Sequence, residues 1–217
     1  MRLASLNLGR PQIVLRDGRR YSTAINRRPV EGRVMLTADG LDGDRVGNRN
    51  VHGGPDKAIC CYPREHYPHF ARLLGVELPV PSFGENFTTA GLLETSVCIG
   101  DTFRAGSATV QVTQPREPCF KLAGKHREPR MIEWINETGF CGFYVRVLQS
   151  GEVGAGDAIE RVKSGHADLT IERLLRVRVS NSGDRDLWSR LACIPELSAS
   201  WRTHFARLER GDPNGDE

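Results

Sequence analysis

Short runs of alternating hydrophobic and polar residues fill most of the chain up to residue 163, which is the pattern of β-strands with one buried face. They predict strands over residues 1–8, 30–37, 58–62, 97–104 (interrupted at Gly100-Asp101), 108–113, 143–148 and 158–162. Residues 9–20 and 151–156 are rich in glycine and polar residues and predict loops. Many short strands between glycine-rich turns favour a mainly β barrel over a parallel α/β sheet.

Helical spacing of apolar residues occurs at two places among these strands. Residues 63–74 carry an apolar stripe through Tyr67 and Phe70 and are followed by Gly75. Residues 129–138 place Met131, Ile132 and Ile135 on one face and precede Gly139. Glycine after the last periodic residue is a common helix stop, so we expect two helices flanking the barrel.

The pattern changes after Lys163, where helical spacing replaces alternation. Helices are predicted over 169–177, over 186–193 with Asp184 as N-cap, and from Ser198, with Trp201, Phe205 and Leu208 at i, i+4 and i+7. We therefore divide the chain into a barrel (1–163), a three-helix appendage (164–211) and a polar tail (212–217). A unit as small as the appendage has a marginal core, so it should pack on the barrel or on a partner.

Charge and cysteine content narrow the classes of partner. The 217 residues contain 30 Lys and Arg against 27 Asp and Glu, a net charge of +3, without a concentrated basic stripe, which disfavours a nucleic-acid polymer as ligand. No apolar run approaches the roughly 18 residues of a membrane helix, and the N-terminus is too short and polar for a signal peptide. We therefore expect a cytoplasmic protein, and its six cysteines, which lack disulfide-scaffold spacing, should be reduced thiols. The sequence leaves the oligomeric state open between a monomer and a homodimer.

Cys119 lies in the most distinctive stretch, Gln114-Pro115-Arg116-Glu117-Pro118-Cys119-Phe120-Lys121-Leu122. Two prolines end the preceding strand and hold this cysteine on a rigid, irregular segment. Positive charge from Arg116 and Lys121 favours a thiolate, which is both a nucleophile and a metal ligand. From these residues alone, a buried structural cysteine is an equal alternative.

Other segments offer weaker candidates. Tyr21–Val30 combines two hydroxyls and two arginines and could bind an oxyanion, although an ordinary polar loop is the simpler interpretation. His52 and Lys57 bracket Gly53-Gly54-Pro55, which permits close backbone approach to a ligand. Asp39–Asp44 lacks the remaining ligands of a calcium loop. Cys61, His66 and His69 likewise do not have the sequence spacing of a standard zinc site.

Cys60 and Cys61 are adjacent in a predicted strand. Adjacent strand residues point to opposite faces, so we do not expect both thiols at one site.

Several motifs in a fixed order together resemble the MOSC family, the domain shared with the C-terminal part of molybdenum cofactor sulfurase, and within it the bacterial YiiM-like subtype. The motifs are Gly43-Asp44, His52-Gly53-Gly54-Pro55-Asp56-Lys57-Ala58, Tyr62-Pro63, Phe83-Gly84-Glu85-Asn86, Ile99-Gly100-Asp101, Gln114–Cys119 and Tyr144-Val145-Arg146-Val147. The resemblance covers about residues 20–160, and the helical segment resembles the three-helix domain of that subtype.

The resemblance implies a barrel that binds a molybdenum–pyranopterin cofactor, with Cys119 as the thiolate on molybdenum. Thr23 and Arg27 fall where the family has phosphate-side contacts, with Arg27 in place of the usual Lys. Asn48 stands where related sequences often carry Asp. The remaining positions carried over as cofactor-binding and pocket-lining are His52, Lys57, Asn86 and Arg116.

The implied activity is the reduction of N-hydroxylated compounds, such as 6-N-hydroxylaminopurine, to amines. Cys119, His52 and Lys57 would be the catalytic residues, with the latter two as proton sources. The sequence lacks flavin, nicotinamide and iron–sulfur motifs, so we expect a separate flavin-containing reductase, for which the helical appendage offers a docking surface. Two alternatives stay open: a non-catalytic cofactor carrier and a sulfur carrier that holds a persulfide on Cys119. Cys98 and Cys141 are expected to be structural.

Overall fold

The computed structural model describes residues 1–16, 19–47 and 53–212. Within them the strands are β1 (Arg2–Leu8), β2 (Gln12–Arg16), β3 (Arg19–Thr23), β4 (Arg28–Pro29), β5 (Arg33–Thr37), β6 (Gly40–Leu41), β7 (Ile59–Pro63), β8 (Phe87–Ala90), β9 (Thr102–Ala105), β10 (Ala108–Pro115), β11 (Phe143–Gln149), β12 (Gly151–Gly154) and β13 (Ile159–Lys163). The helices are α1 (Tyr67–Leu74), α2 (Phe120–His126), α3 (Met131–Thr138), α4 (Ile171–Ser180), α5 (Arg185–Cys193) and α6 (Ala199–Glu209).

Eight of these strands form one mixed sheet in the order β13-β9-β10-β11-β7-β8-β1-β4. Its neighbours pair antiparallel except β7 and β8, which run parallel. Smaller sheets are formed by β12-β5-β6 and by the β2-β3 hairpin. The prediction of a mainly β fold with a C-terminal three-helix unit is confirmed.

An aromatic cluster in the core is formed by Tyr62 of β7, Tyr67 and Phe70 of α1, and Phe83. The rings of Tyr62 and Phe83 stack with centroids 4.1 Å apart, and Tyr67 and Phe70 of α1 contact Phe83 edge-on or tilted at 5.1 Å. Every residue of β7 is buried, which is why this strand reads as a continuous apolar run. The cluster holds α1 against the sheet.

The two flanking helices occur where predicted but begin later. Pro63 still belongs to β7, and Arg64–His66 forms a 3₁₀ turn before α1, whose first turn accommodates Pro68. Gly75 and Gly139 end α1 and α3 in the left-handed conformation, with φ of 67° and 75°. Within the described ranges, no helix has the length and apolarity needed to cross a membrane.

The three C-terminal helices begin at side-chain caps. Thr170, Asp184 and Ser198 each accept a hydrogen bond from the backbone N–H three residues later. Trp201 and Phe205 of α6 are fully buried, so this unit shares its apolar surface with the sheet domain. The predicted cap at Asp184 and the start of the third helix after Ser198 are confirmed.

Three predicted segments differ from the structure. Residues 9–20 are not all loop, because β2 begins at Gln12 and pairs with β3, and part of the predicted 151–156 loop is β12, paired with β5. Conversely, the predicted strand over 97–104 is a strand only from Thr102. The N–H of Ile99 donates to Leu169 and that of Gly100 to Val112, so these groups are satisfied outside a ladder.

Candidate functional site

A cavity of about 530 Å³ brings the predicted site residues together. It is bounded by the ends of β3, β7 and β10, by β11 and by the segments around Asp44 and Gly54. Six of the seven predicted site residues line it: Thr23, Arg27, Lys57, Asn86, Arg116 and Cys119. The seventh, His52, lies outside the described residues, as does Asn48.

Cys119 lies in the cavity wall, four residues past the end of β10, and is half-buried. It has extended backbone angles (φ −128°, ψ 162°) and immediately precedes α2, where its carbonyl accepts the N–H of Leu122 at 2.9 Å. Sequence reasoning missed α2, because Leu122 is its only buried residue and Gly124 lies inside it. The rigid irregular segment therefore ends at Cys119.

Two lysines of α2 connect the Cys119 segment to the strand end that carries Thr23. Lys121 Nζ donates to Ser22 O at 3.1 Å, and Lys125 Nζ donates to Ile25 O at 3.3 Å. Burial lowers the pKa of Lys125 to about 8, and the positive charges of Arg116 and Arg27 act in the same direction. Lys121 was expected to act mainly as a positive charge beside the thiol. It also fixes the backbone at Ser22 through this hydrogen bond.

Arg27 and Asn86 are fixed by Asp44. Arg27 donates to both carboxylate oxygens of Asp44 and, through Nη1, to Gly84 O at 2.6 Å. Asn86 donates to Asp44 Oδ2 at 3.0 Å and accepts the N–H of Cys60 at 3.2 Å. These two predicted cofactor-binding residues therefore have well-defined internal partners that orient them along the cavity wall.

Arg116 has a different environment. Only 6% of its surface is exposed, and its side chain lines the cavity. Its backbone N–H donates to Gly142 O at 3.0 Å, but the guanidinium has no hydrogen bond or ion pair with any residue that the structure describes. A buried cation without a counter-charge is unfavourable, so this position is suited to an anionic ligand.

Cys60 and Tyr144, for which sequence reasoning predicted no role, also line the cavity. They are direct neighbours across β7 and β11. Burial raises the pKa of the Cys60 thiol, against the influence of Arg116, and burial likewise raises the pKa of Tyr144. Both groups are therefore protonated near neutral pH. The alternation of faces along β7 was the sequence signal that separates Cys60 from Cys61. Cys60 faces the cavity, and Cys61, as expected, points to the other face, into the core.

The other candidates lie apart from the cavity. His66 is buried against Glu94, with 2.7 Å between Nε2 and Oε2. Cys98 and Cys141 are buried and are not among the cavity-lining residues. In the part of the chain that the structure describes, no group of three or more His, Cys, Asp and Glu side chains could hold a metal ion.

The fold is that of a known domain class. The family model for the MOSC domain matches residues 48–160, and the model for the YiiM-like, 3-alpha helix domain matches residues 169–211. The chain belongs to the MOSC domain family, which is associated with molybdenum cofactor binding.

Named relatives span nearly the whole chain. It is 42% identical to the uncharacterized protein YflK of Bacillus subtilis over 203 residues, covering 94% of this chain and 92% of YflK. It is 40% identical to protein YiiM of Escherichia coli, covering 82% and 81% of the two chains. A Gibberella moniliformis protein named "Reductase" is 33% identical over 74% of this chain, which corresponds to 30% of that protein.

Solved structures of YiiM proteins share the fold. YiiM from Geobacillus stearothermophilus superimposes with a TM-score of 0.82 at 36% identity, covering 96% of this chain and 98% of that one. YiiM from Escherichia coli gives a TM-score of 0.75 at 35% identity, covering 88% and 92%.

Proposed function

We propose that the chain binds the molybdenum–pyranopterin cofactor in this cavity and reduces N-hydroxylated compounds, such as 6-N-hydroxylaminopurine, to the corresponding amines. Family membership and the relative named "Reductase" support an oxidoreductase related to this cofactor. The proposal adds the residues, the substrate class and the source of electrons.

The buried guanidinium of Arg116 is the observation that carries the proposal. It lines the same cavity as the Cys119 thiol and has no counter-charge among the described residues. The cofactor carries a phosphate, which supplies such a charge, and a thiolate is a soft ligand suited to molybdenum. The cavity, at about 530 Å³, has the size of typical cofactor sites. The residues present therefore fit the group.

The chain's own residues then have distinct roles. Cys119 Sγ is the protein ligand to the metal, and the anionic end of the cofactor is held by Arg116 together with Thr23 and Arg27. Asn86 acts indirectly, since its amide supports Asp44 and the N–H of Cys60. When bound, the cofactor supplies two-electron redox chemistry.

Protons and electrons have separate sources. Conversion of R–NH–OH to R–NH₂ consumes two electrons and two protons and releases water. Lys57, which lines the cavity, and His52 are the proposed proton donors. The electrons come from a separate flavin-containing reductase, because the sequence lacks motifs for a second redox group.

Metal content tests the proposal directly. Wild-type protein, Cys119→Ala and Cys193→Ala are purified anaerobically from a host that makes the cofactor, and molybdenum is measured by mass spectrometry. Cys193 is the matched control, because it is exposed on α5 and does not line the cavity. We expect near-stoichiometric molybdenum in the wild type and in Cys193→Ala, and its loss in Cys119→Ala.

Turnover then separates the proposed enzyme from the alternatives. Loaded protein should reduce 6-N-hydroxylaminopurine with an artificial reductant, and Lys57→Met should slow the reaction while keeping the metal. Loaded protein without turnover would identify a cofactor carrier. Absence of metal together with a labile sulfur on Cys119 would identify a persulfide carrier and overturn the cofactor assignment.

A further inference from the structure

Asp56 and Arg146 connect the cavity to the three-helix unit. Arg146 Nη2 lies 2.8 Å from Asp56 Oδ1, and Asp56 is the direct neighbour of the cavity residue Lys57. The second carboxylate oxygen of Asp56 accepts the N–H of Ala199, the first residue of α6, at 2.9 Å. The carboxylate thus bridges a strand of the sheet and the start of a helix, where negative charge is favourable.

The guanidinium of Arg146 extends the same connection to the turn between α5 and α6. Nη1 donates to Pro195 O at 3.1 Å and Nη2 to Glu196 O at 3.0 Å. Arg146 lies two residues after the cavity residue Tyr144 on β11. One planar group therefore holds a cavity segment and two helical-unit carbonyls in a fixed arrangement, which a single ammonium could not reproduce.

Thr113 forms a second connection, at the base of the Cys119 segment. Its hydroxyl donates to Asp56 O at 2.6 Å and also lies 3.1 Å from Tyr144 O, while its own carbonyl accepts the N–H of Ser198 at 3.1 Å. Thr113 is fully buried. The segment before Lys57 and the segment before Arg116 are thereby held to each other and to the N-terminus of α6.

The opposite side of the Cys119 segment is connected as well. Arg178 of α4 forms an ion pair with Glu117 at 3.0 Å, and its guanidinium also lies over the ring of Trp201 at 5.8 Å. Glu117 is two residues before Cys119 and lines the cavity. The helical unit therefore contacts both wall segments of the cavity, through α4 and through the start of α6.

We propose that the three-helix unit is part of the site. Arg146 is the positioning residue that sets the distance between the Lys57 segment (residues 53–58) and the Cys119 segment (residues 113–119). Arg146 acts on the protein walls of the cavity, so this positioning role does not depend on the proposed reaction. Loss of the Arg146 contacts loosens both segments without unfolding the sheet.

The reactivity of Cys119 in cofactor-free protein tests this proposal without any activity assay. Arg146→Met is compared with Arg146→Lys, and with Arg190→Met as matched control, because Arg190 forms a bidentate ion pair with Asp168 that touches neither wall segment. Iodoacetamide alkylation of Cys119 is followed by peptide mass spectrometry, which resolves it from the exposed Cys193. Amide hydrogen exchange is measured over residues 53–58 and 113–119 in the same samples.

We expect Arg146→Met to raise both the Cys119 alkylation rate and the exchange of the two segments by about tenfold, the size expected when hydrogen bonds to a charged group are lost. Arg146→Lys should restore the contact to Asp56 but only one carbonyl contact, and so give an intermediate rate. Arg190→Met should leave the Cys119 alkylation rate and the amide exchange of the two segments at the wild-type level, even if it lowers the thermal stability.

Two results would overturn the proposal. One is that Arg146→Met shows the same Cys119 alkylation rate and the same amide exchange as the wild type. The other is an equal increase in Arg146→Met and Arg190→Met, which would show only general loosening. In molybdenum-loaded protein, Arg146→Met should also lose metal faster on dilution; failure of wild-type loading would count against the proposed cofactor and not against the positioning role.

Discussion

The Arg27 guanidinium and the Asp44 carboxylate form a doubly hydrogen-bonded ion pair beside the cavity, with Nη2–Oδ2 and Nε–Oδ1 distances of 2.8 and 3.1 Å. Each side chain is 9% exposed. Asp44 also accepts the N–H of Gly9 at 2.7 Å and the amide of Asn86. One carboxylate thus joins three separate segments of the chain, and two of its partners, Arg27 and Asn86, line the cavity.

Asp44→Asn should therefore be strongly destabilising. It leaves the Arg27 guanidinium without its counter-charge, and breaking a buried pair from one side costs about 3 kcal/mol. The free energy of unfolding is measured by urea denaturation. Asp42→Asn is the control, because Asp42 also lines the cavity but is exposed, and it should change stability by less than about 0.5 kcal/mol. Equal stability of the two variants would contradict a central role for Asp44.

Arg116→Met should separate ligand binding from stability. Removal of a buried guanidinium that has no described counter-charge should leave the free energy of unfolding of the cofactor-free protein unchanged or raise it by about 1 kcal/mol. The same change should abolish molybdenum retention. Arg27→Met, which removes a paired cation from the same cavity, should instead destabilise the protein by about 3 kcal/mol.

Both quantities are measured on the same preparations, by urea denaturation and by metal analysis. A large loss of stability in Arg116→Met would show that the guanidinium serves the fold and would remove the main support for an anionic ligand.

Gly84 should tolerate a side chain far less than Gly156. Both have positive φ, 76° and 95°, so alanine costs about 1–2 kcal/mol of backbone strain at either position. At Gly84 a Cβ would also lie 2.6 Å from Ile25 Cγ1, whereas at Gly156 it would meet nothing within 4 Å. Gly84→Ala should therefore lower the melting temperature clearly more than Gly156→Ala, and it should displace the segment between Thr23 and Arg27. Equal melting temperatures would mean that Ile25 moves away without cost.

Lys125 should make stability depend on alkaline pH. Burial is the main cause that lowers its pKa from 10.5 to about 8 in the folded protein. Below about pH 8 the amine is protonated in both states, and the cost of burying its charge is fully present. Between about pH 8 and pH 10.5 the unfolded chain binds more protons, so this group's contribution to the free energy of unfolding rises with pH.

The comparison with Lys125→Met isolates this contribution. The difference in free energy of unfolding, wild type minus variant, should increase from about pH 7.5 to about pH 10. Urea denaturation at several pH values measures it, and an NMR titration of the Lys125 Cε resonance gives the pKa itself. A difference that is constant or falls with pH would exclude a buried ammonium at this position.

The alternation of strands and the composition of turns were sufficient for much of the fold. The strand from Ala108 and the helix ends at Gly75 and Gly139 were predictable because they depend on local properties: side-chain period and the conformational freedom of glycine. The strand end was predicted too early, at Thr113, because Gln114 and Pro115 still pair with β11. The hairpin formed by β2 and β3 had a usable signal, Asp17-Gly18 between Ile13–Leu15 and Tyr21, that the arginine-rich composition obscured. Helix α2 had almost none, since it has a single buried residue, Leu122, and its lysines Lys121 and Lys125 bond to carbonyls that are distant in the sequence.

The sequence by itself determined the class of this protein: a mainly β domain with a three-helix unit, and the ordered motifs that include Cys119. Only the tertiary structure decided which charges in the cavity wall are paired within the protein and which are not. Arg27 and Arg116 are chemically identical in the sequence, but Asp44 neutralises the first, and no described residue neutralises the second. The reason is physical: local patterns encode period and turns, whereas the partner of a charge depends on segments far apart in the chain that come together only on folding.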